Sequence, residues 1–202
     1  MANTNAPFGL RPVRHRNGTS WNGSVTPYFI ASGVGNVFIG DPVVAAVNTQ
    51  STELLGFGPG ELTAVTLATA GDGNLIRGVV TGFLPETRSS AIYGPTGAAR
   101  VALVADDPNL IFQVQDDGDG TPTSGWAGAN ANLASGTGST GSGLSGWELD
   151  ASDTPAADAS NQLIILGKSK IPDNELDDYA IWDVIINKHE LATAEALGQA
   201  IA

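Results

Sequence analysis

The chain has 202 residues, of which 42% are apolar, 15% are charged and 26 are glycines, and it contains no cysteine. This length and apolar content suffice for one packed domain, and the missing cysteines exclude disulfides, thiol catalysis, iron–sulfur clusters and cysteine-based zinc sites. The net charge of −12 argues against a nucleic-acid partner, which requires Lys and Arg against phosphates, and against docking on an anionic membrane.

The charge is unevenly distributed along the chain. Residues 1–40 carry three arginines, Arg11, Arg14 and Arg16, and no acidic residue, whereas residues 41–202 carry six basic and 21 acidic residues. Pro and Gly interrupt the opening stretch, and no apolar period of a strand or helix runs through it. We therefore predict an extended N-terminal arm and first strand over residues 1–40, and a β-rich domain over 41–202. A first strand that pairs inside the domain is the alternative.

Short segments rich in Val, Ile, Phe and Thr, bounded by Gly, Pro, Asp and Asn, follow in sequence. They predict strands at Thr26–Ile30, Asn36–Ile39, Pro42–Val47, Ala64–Ala68, Leu75–Phe83, Arg100–Val104, Leu110–Gln115, Gln162–Leu166 and Ala180–Asn187. The dipeptides Asp72-Gly73 and Asp119-Gly120 favour the positive φ of hairpin corners. Short strands between such turns predict an all-β sandwich or barrel. A short C-terminal helix is predicted at His189–Ala200, where good helix formers dominate.

Residues 119–160 form a Gly/Ser/Thr-rich excursion in which Trp126 and Trp147 are isolated large side chains. A structureless loop of this length is unusual inside a compact domain. The excursion is interpreted in three ways: as a segment that orders against a neighbouring chain, as a meander of small-residue strands, or as a disordered linker. The two tryptophans disfavour the linker.

The motifs associated with chemistry are weak in this chain. Gly136–Gly141 has the G-x-G-x-x-G spacing of a dinucleotide loop, but no predicted strand precedes it and no predicted helix follows it. Asp116–Thr121 resembles the start of a calcium loop without its later Gly and Glu, so an acidic turn is favoured over a cation site at residues 116–119. His15 and His189 belong to no catalytic motif. We therefore predict no enzyme activity, catalytic residue, cofactor or metal.

The basic opening stretch is the most informative remaining feature. It combines arginine with large apolar side chains, the residue types that anchor a segment as it orders on an acidic protein surface. The candidate contact residues are Phe8, Arg11, Arg14, Arg16 and Trp21. Nucleic acid is the competing partner, which three arginines beside a strongly acidic body disfavour.

Several segments keep a common order along the chain: Asn5–Arg14, Phe38–Val44, Arg100–Asn109, Ile111–Asp116, Leu163–Gly167 and Pro172–Leu176. Together they resemble a family of tailed-phage structural proteins, and the proteins to compare are the capsid cement (decoration) proteins. The resemblance covers most of the chain.

This resemblance implies an all-β jelly roll or related barrel, assembled as a homotrimer on the outer surface of the capsid. The implied partners are the major capsid protein and further copies of the chain, with no nucleic acid and no membrane. The family has no catalytic motif to transfer. Two alternatives stay open: another virion component, such as a head-fibre base, tail or baseplate subunit, and a carbohydrate-binding β-domain on the virion that stacks sugars on Trp126 and Trp147.

Overall fold

The structure, a computed structural model of the chain, describes residues 3–192. Strands dominate, with one short 3₁₀ turn at Ser124–Trp126, and no helix among these residues is long and apolar enough to span a membrane. The strands are β1 Arg11–His15, β2 Thr26–Ile30, β3 Pro42–Ala46, β4 Ala64–Leu67, β5 Gly78–Phe83, β6 Arg100–Ala105, β7 Leu110–Gln115, β8 Asn130–Ala131, β9 Leu133–Ala134, β10 Glu148–Leu149, β11 Leu163–Lys168 and β12 Ile181–Ile186. The predicted all-β class is confirmed.

Five strands form a closed barrel in the order β2-β4-β3-β5-β6, with β6 pairing back onto β2. All pairs in the barrel are antiparallel except β2 with β4. Tyr28 and Ile30 of β2 belong to an apolar cluster to which every barrel strand contributes, so this cluster fills the barrel. Phe29, between them, packs outside the barrel with Leu62 and Ala64. This alternation is the two-residue period of a strand that is covered on both faces.

A second, open sheet contains five antiparallel strands in the order β1-β7-β12-β11-β8. On β7, Phe112 and Val114 belong to the main core cluster, and Gln113 between them faces the opposite side of the sheet. Val79 and Ala105 of the barrel belong to the same cluster. The barrel and the open sheet are therefore packed around one shared core.

The Gly/Ser/Thr-rich excursion at 119–160 is an ordered part of this core. Its β8 pairs with β11, and β9 pairs with β10. Trp126 and Trp147 are only 3% and 5% exposed, and the Trp126 ring centroid lies 5.2 Å from that of Trp182. Of the three interpretations, the meander of small-residue strands describes the excursion. Two large indole rings supply the buried apolar area that its small side chains lack.

The expected N-terminal arm is wrong, and the alternative of a first strand paired inside the domain is correct. Arg11–His15 form β1, an edge strand of the open sheet that pairs with β7, and Leu10 is fully buried in the main core. A bulge lies between Pro12 and Arg14. This irregularity breaks the alternating pattern, which is why the sequence did not predict the strand.

The predicted strand Asn36–Ile39 is also wrong, since Val37 and Ile39 form only isolated bridges. The carboxylate of Asp41 accepts the backbone N–H of Phe38 at 2.8 Å and curls the chain into a turn. The other predicted strands are present, with ends that shift by up to three residues, as at β5, which begins at Gly78.

The predicted C-terminal helix is not present in its described part. His189 forms a bridge with Ile76 of the segment that leads into β5, and the side chain of Glu190 lies 2.7 Å from the Arg77 Nε. These contacts with the barrel hold His189–Ala192 as a bridge and a turn. Residues 193–200 of the predicted helix lie outside the described residues.

Candidate interaction surface

The structure divides the five candidate contact residues among three places. Phe8, Arg11 and Trp21 line one groove. Arg14 lies on the outer face of the open sheet, where it pairs with Asp183 of β12 across the intervening β7. Arg16 lines a separate depression. The sequence therefore predicted three residues that meet in one site and two that do not belong to it.

The groove is lined mainly by apolar side chains, and we call it the apolar groove. Its cavity volume is about 220 Å³. Besides Phe8 and Trp21, the apolar lining comprises Leu10, Pro12, Ile39, Val80 and Leu144. Leu144 is 38% exposed at its rim. Exposed apolar surface that is grouped in one place, rather than scattered, is typical of protein interaction sites.

Apolar surface continues beyond the rim of the groove. Ile92 is 52% exposed and lies beside Gly143, where an added Cβ atom would come within 2.9 Å of the Ile92 side chain. Gly143 is the neighbour of Leu144 in sequence. The exposed side chains of Leu144 and Ile92 therefore extend the apolar surface outward from the groove.

Gly40 sets one wall of the groove. The backbone N–H of Leu10 donates to the carbonyl of Gly40 at 2.9 Å. Gly40 has a φ of +99°, and a Cβ atom there would lie 2.1 Å from the carbonyl oxygen of Phe8. Only glycine accommodates both this backbone conformation and this close approach. The contact places Phe8 and Leu10 beside the turn that carries Ile39.

The exposed Arg11 side chain is held against the protein surface by two contacts. Its guanidinium lies 4.7 Å from the centroid of the Phe8 ring, and one of its amino groups donates to the side-chain oxygen of Gln113 at 2.7 Å. The first contact is a cation–π interaction, which fixes the aromatic ring at the groove. Arg11 therefore positions Phe8 and closes one side of the groove.

Seven of the ten residues that line the apolar groove were not identified as contact residues from the sequence. Ile39, Val80 and Leu144 lie far apart in the chain and meet only through the fold. No local pattern marks Ile39 or Val80 as functional, because both lie in ordinary apolar segments. Leu144 did carry a signal, since it is a lone aliphatic residue in a run of Gly and Ser.

The acidic turn at 116–119 uses its carboxylates to hold the backbone. Asp116 is fully buried and accepts hydrogen bonds from the indole of Trp182 at 2.9 Å and from the N–H groups of Tyr179 and Gly118 at 2.7 and 3.1 Å. Burial raises the pKa of Asp116, and these hydrogen bonds act against the rise. Within residues 3–192 no group of three or more metal-ligating side chains forms a candidate metal site.

The two histidines occupy structural positions. The Nδ1 atom of His15 lies 3.1 Å from the Asp107 carboxylate. His189 is buried, accepts the N–H of Leu191, and has its pKa lowered to about 4 by burial. Neither imidazole is hydrogen-bonded to a serine hydroxyl among the described residues.

Two further sequence motifs serve packing. At Gly136 and Gly138 of the G-x-G-x-x-G run, a Cβ atom would lie 1.8 Å from the Gly146 carbonyl and 2.3 Å from the Phe38 ring, respectively. These glycines allow close contact inside the fold. Trp126 and Trp147 present almost no surface to solvent, so neither ring offers a stacking platform for a sugar.

Comparisons with protein-family models, curated proteins and solved structures found no match to this chain. Function is therefore inferred from the geometry of the apolar groove and from the resemblance of the sequence segments described above.

Proposed function

We propose that this protein is a non-enzymatic virion component, a capsid cement protein that binds the outer surface of a tailed-phage head and stabilises contacts between capsomers. The apolar groove, which gathers Phe8, Arg11 and Trp21 beside exposed Leu144, is the observation that supports this proposal most directly. Its partner is the major capsid protein, and its working form is a homotrimer. That the barrel and the open sheet together form a jelly roll stays a prediction.

The physical demands on a cement protein agree with this surface. Binding to the assembled shell, and not to its separated subunits, stabilises the shell by mass action and raises the barrier to rupture. The apolar groove supplies area that a partner removes from water, at about 25 cal/mol for each Å² of apolar surface buried. The net charge of −12 keeps the rest of the body soluble at high local density.

The proposal is tested by co-sedimentation of the purified protein with expanded shells that lack it, with light scattering for the oligomeric mass. The key variant is Leu144→Asp, which places a charge at the rim of the groove. The matched control is Val47→Asp, because Val47 is 88% exposed and does not line the groove. Deletion of residues 2–20 is unsuitable, since it would remove β1 and the buried Leu10.

We expect saturable shell binding by the wild type as a trimer, a loss of about tenfold or more in affinity for Leu144→Asp, and little change for Val47→Asp. Equal shell binding by Leu144→Asp and Val47→Asp would mean that the apolar groove takes no part in the contact with the shell. A wild-type protein that ignores shells and assembles into rings or tubes would be a tail or baseplate subunit instead. Binding to glycans alone would favour the carbohydrate-binding alternative.

A further inference from the structure

The outer face of the open sheet carries a second cavity, which we call the basic cleft. Its volume is about 460 Å³, within the usual range for a binding site. Its polar lining comprises Arg14, Gln113, Lys168, Ser169, Lys170 and Asp183. The cleft is therefore formed by β1, β7, β12 and β11 together with the residues just after β11.

Positive charge is concentrated in the basic cleft. The whole chain has nine basic residues against 21 acidic ones, and three of the nine, Arg14, Lys168 and Lys170, line this cavity. Asp183 is the single acidic residue among its lining residues. A positive pocket on a protein with a net charge of −12 selects an anionic ligand and disfavours binding elsewhere on the surface.

The three cations differ in how far they are engaged within the protein. A terminal nitrogen of Arg14 lies 2.9 Å from the Asp183 carboxylate. Lys168 donates to the backbone carbonyl of Asn174. Lys170 is exposed and has no carboxylate within salt-bridge distance among residues 3–192. Lys170 is therefore available for a ligand, and the described partner of Lys168 is a backbone carbonyl rather than a carboxylate.

The floor of the cleft is a buried polar network. The side-chain amide of Gln113 donates to the hydroxyl of Ser169 at 2.5 Å and reaches the Asp183 carboxylate at 3.4 Å. Gln113 and Ser169 are both more than nine-tenths buried. The amide group of Gln113 uses its oxygen for Arg11. These contacts fix the polar groups in place before any ligand arrives, which lowers the entropic cost of binding.

Two strand irregularities meet at the same cavity. The β1 bulge at Val13 and the β11 bulge at Leu166 both contribute lining residues. Gly167, next to the second bulge, has a φ of +149°, a conformation that glycine adopts and other residues avoid. Bulges redirect side chains and are enriched beside binding sites. Here they leave aliphatic side chains, including Leu166 at 43% exposure, next to the cations.

We propose that the basic cleft binds an acidic polypeptide segment, whose carboxylates pair with Lys168 and Lys170 and whose apolar side chains contact Val13, Leu166 and Ile171. A single small anion would use the charges and leave the exposed Leu166 unused. The mixture of cations and aliphatic side chains fits a chain that alternates acidic and apolar residues. This site is separate from the apolar groove, so the inference goes beyond shell binding and stands whether or not the groove contacts a capsid.

The test uses the purified full-length chain without shells and a fluorescent six-residue peptide of alternating Glu and Leu. A peptide with Gln in place of Glu is the charge control. Lys170→Glu reverses one charge in the cleft, and Arg88→Glu reverses one on an exposed loop outside it. Fluorescence polarisation reports affinity, inorganic phosphate serves as a competitor, and circular dichroism verifies that the variants are folded.

We expect saturable binding of the acidic peptide, weakened about fivefold or more by Lys170→Glu and less than about twofold by Arg88→Glu. The Gln peptide should bind far more weakly. Equal losses for the two variants would mean that only net charge matters, and the proposal would be wrong. Equal affinity for phosphate, or for the Gln peptide, would overturn it as well, because recognition would then not be of an acidic segment.

Discussion

The apolar groove and the basic cleft are neighbours that differ in almost every physical property. Arg11 lines the groove, Gln113 lines the cleft, and the 2.7 Å hydrogen bond between these two side chains separates the cavities. The groove presents mainly apolar carbon, whereas the cleft presents three of the nine basic residues of the chain. A single edge strand, β1, therefore contributes lining residues to both an apolar cavity and a charged one.

Two cavities of such different chemistry can act independently although they lie close together. Apolar contact depends on area removed from water and responds little to salt. Contact between exposed charges is screened as salt rises. Because the two surfaces respond to different conditions, each can be perturbed while the other is monitored.

The largest effect is expected from Asp116→Ala, which removes the buried carboxylate that links the end of β7 to Trp182 of β12. The substitution leaves the donors from Trp182, Tyr179 and Gly118 without their buried acceptor. We expect a loss of about 3 kcal/mol or more in the free energy of unfolding. Denaturant unfolding measures it, with Asp119→Ala on an exposed position of the same turn as control. A loss of similar size in both variants would contradict the structural role of Asp116.

The second-largest effect is expected from Gly40→Ala, which alters the wall of the apolar groove and leaves the basic cleft unchanged. Its Cβ atom would clash with the Phe8 carbonyl, in addition to the strain of a positive φ. Gly33→Ala is the matched control, because Gly33 has a φ of +95° with open space around it. In denaturant unfolding, we expect the control to lose about 1 kcal/mol of the free energy of unfolding. Gly40→Ala should lose at least about 2 kcal/mol more.

Binding measurements distinguish the Gly40 and Gly33 variants further. Gly40→Ala should weaken shell binding because it displaces Phe8 and Leu10 from the groove wall. Its binding of the acidic peptide should stay at the wild-type level. Peptide binding that falls in parallel with shell binding would show that the two surfaces are not independent.

Salt concentration should affect the two proposed contacts to different degrees. Between about 0.1 M and about 1 M salt the Debye length falls from about 10 Å to about 3 Å. We expect peptide binding in the basic cleft to weaken about tenfold or more, and shell binding through the groove to change by less than about threefold. Fluorescence polarisation and co-sedimentation at matched salt concentrations measure how each affinity depends on salt. Equal slopes would mean that charge governs both contacts.

The smallest effect is expected from Glu148→Gln, which changes the core and neither surface. Burial, reinforced by the charges of Asp117 and Asp116, raises the pKa of Glu148 from 4.5 to about 7. The folded state therefore favours the protonated form, and this stabilisation is present below the ordinary Glu pKa and is lost as pH rises to about 7. The buried Oε1 atom has no hydrogen-bond partner among the described residues.

Thermal unfolding of both proteins across this pH range tests the effect. The variant should match the wild type near pH 4 and be more stable near pH 8, because it carries no charge there. Glu53→Gln, on an exposed loop, should show no such divergence. Parallel curves for the wild type and Glu148→Gln would show that the Glu148 carboxyl group does not lose this stabilisation as pH rises.

The barrel and the middle of the open sheet were predictable because their residues obey local rules. Thr26–Ile30 and Leu110–Gln115 alternate or run apolar between turn residues, and the structure places strands at both ranges. β1 was predicted only as the alternative to an extended arm, because Pro12 and the bulge beside it break the period. Strands of two residues, such as Asn130–Ala131, are too short to leave any periodic signal.

Only part of the candidate site could be predicted from the sequence, for a different reason. Phe8, Arg11 and Trp21 stood out by residue type, so the sequence found them. Ile39 and Val80 belong to the groove only because β1 packs beside the barrel, a relation set by long-range pairing. The basic cleft was not predicted at all, since Arg14 and Lys170 are separated by most of the chain and meet through the order of strands in the sheet.

The most direct test of the proposed shell contact is an electron cryomicroscopy map of expanded shells decorated with the purified protein. We expect density of the major capsid protein seated in the apolar groove, in contact with Phe8, Trp21 and Leu144. We also expect three copies around each local three-fold position. A map in which the protein is bound while the groove faces solvent, or in which shells carry no bound protein, would rule out this contact.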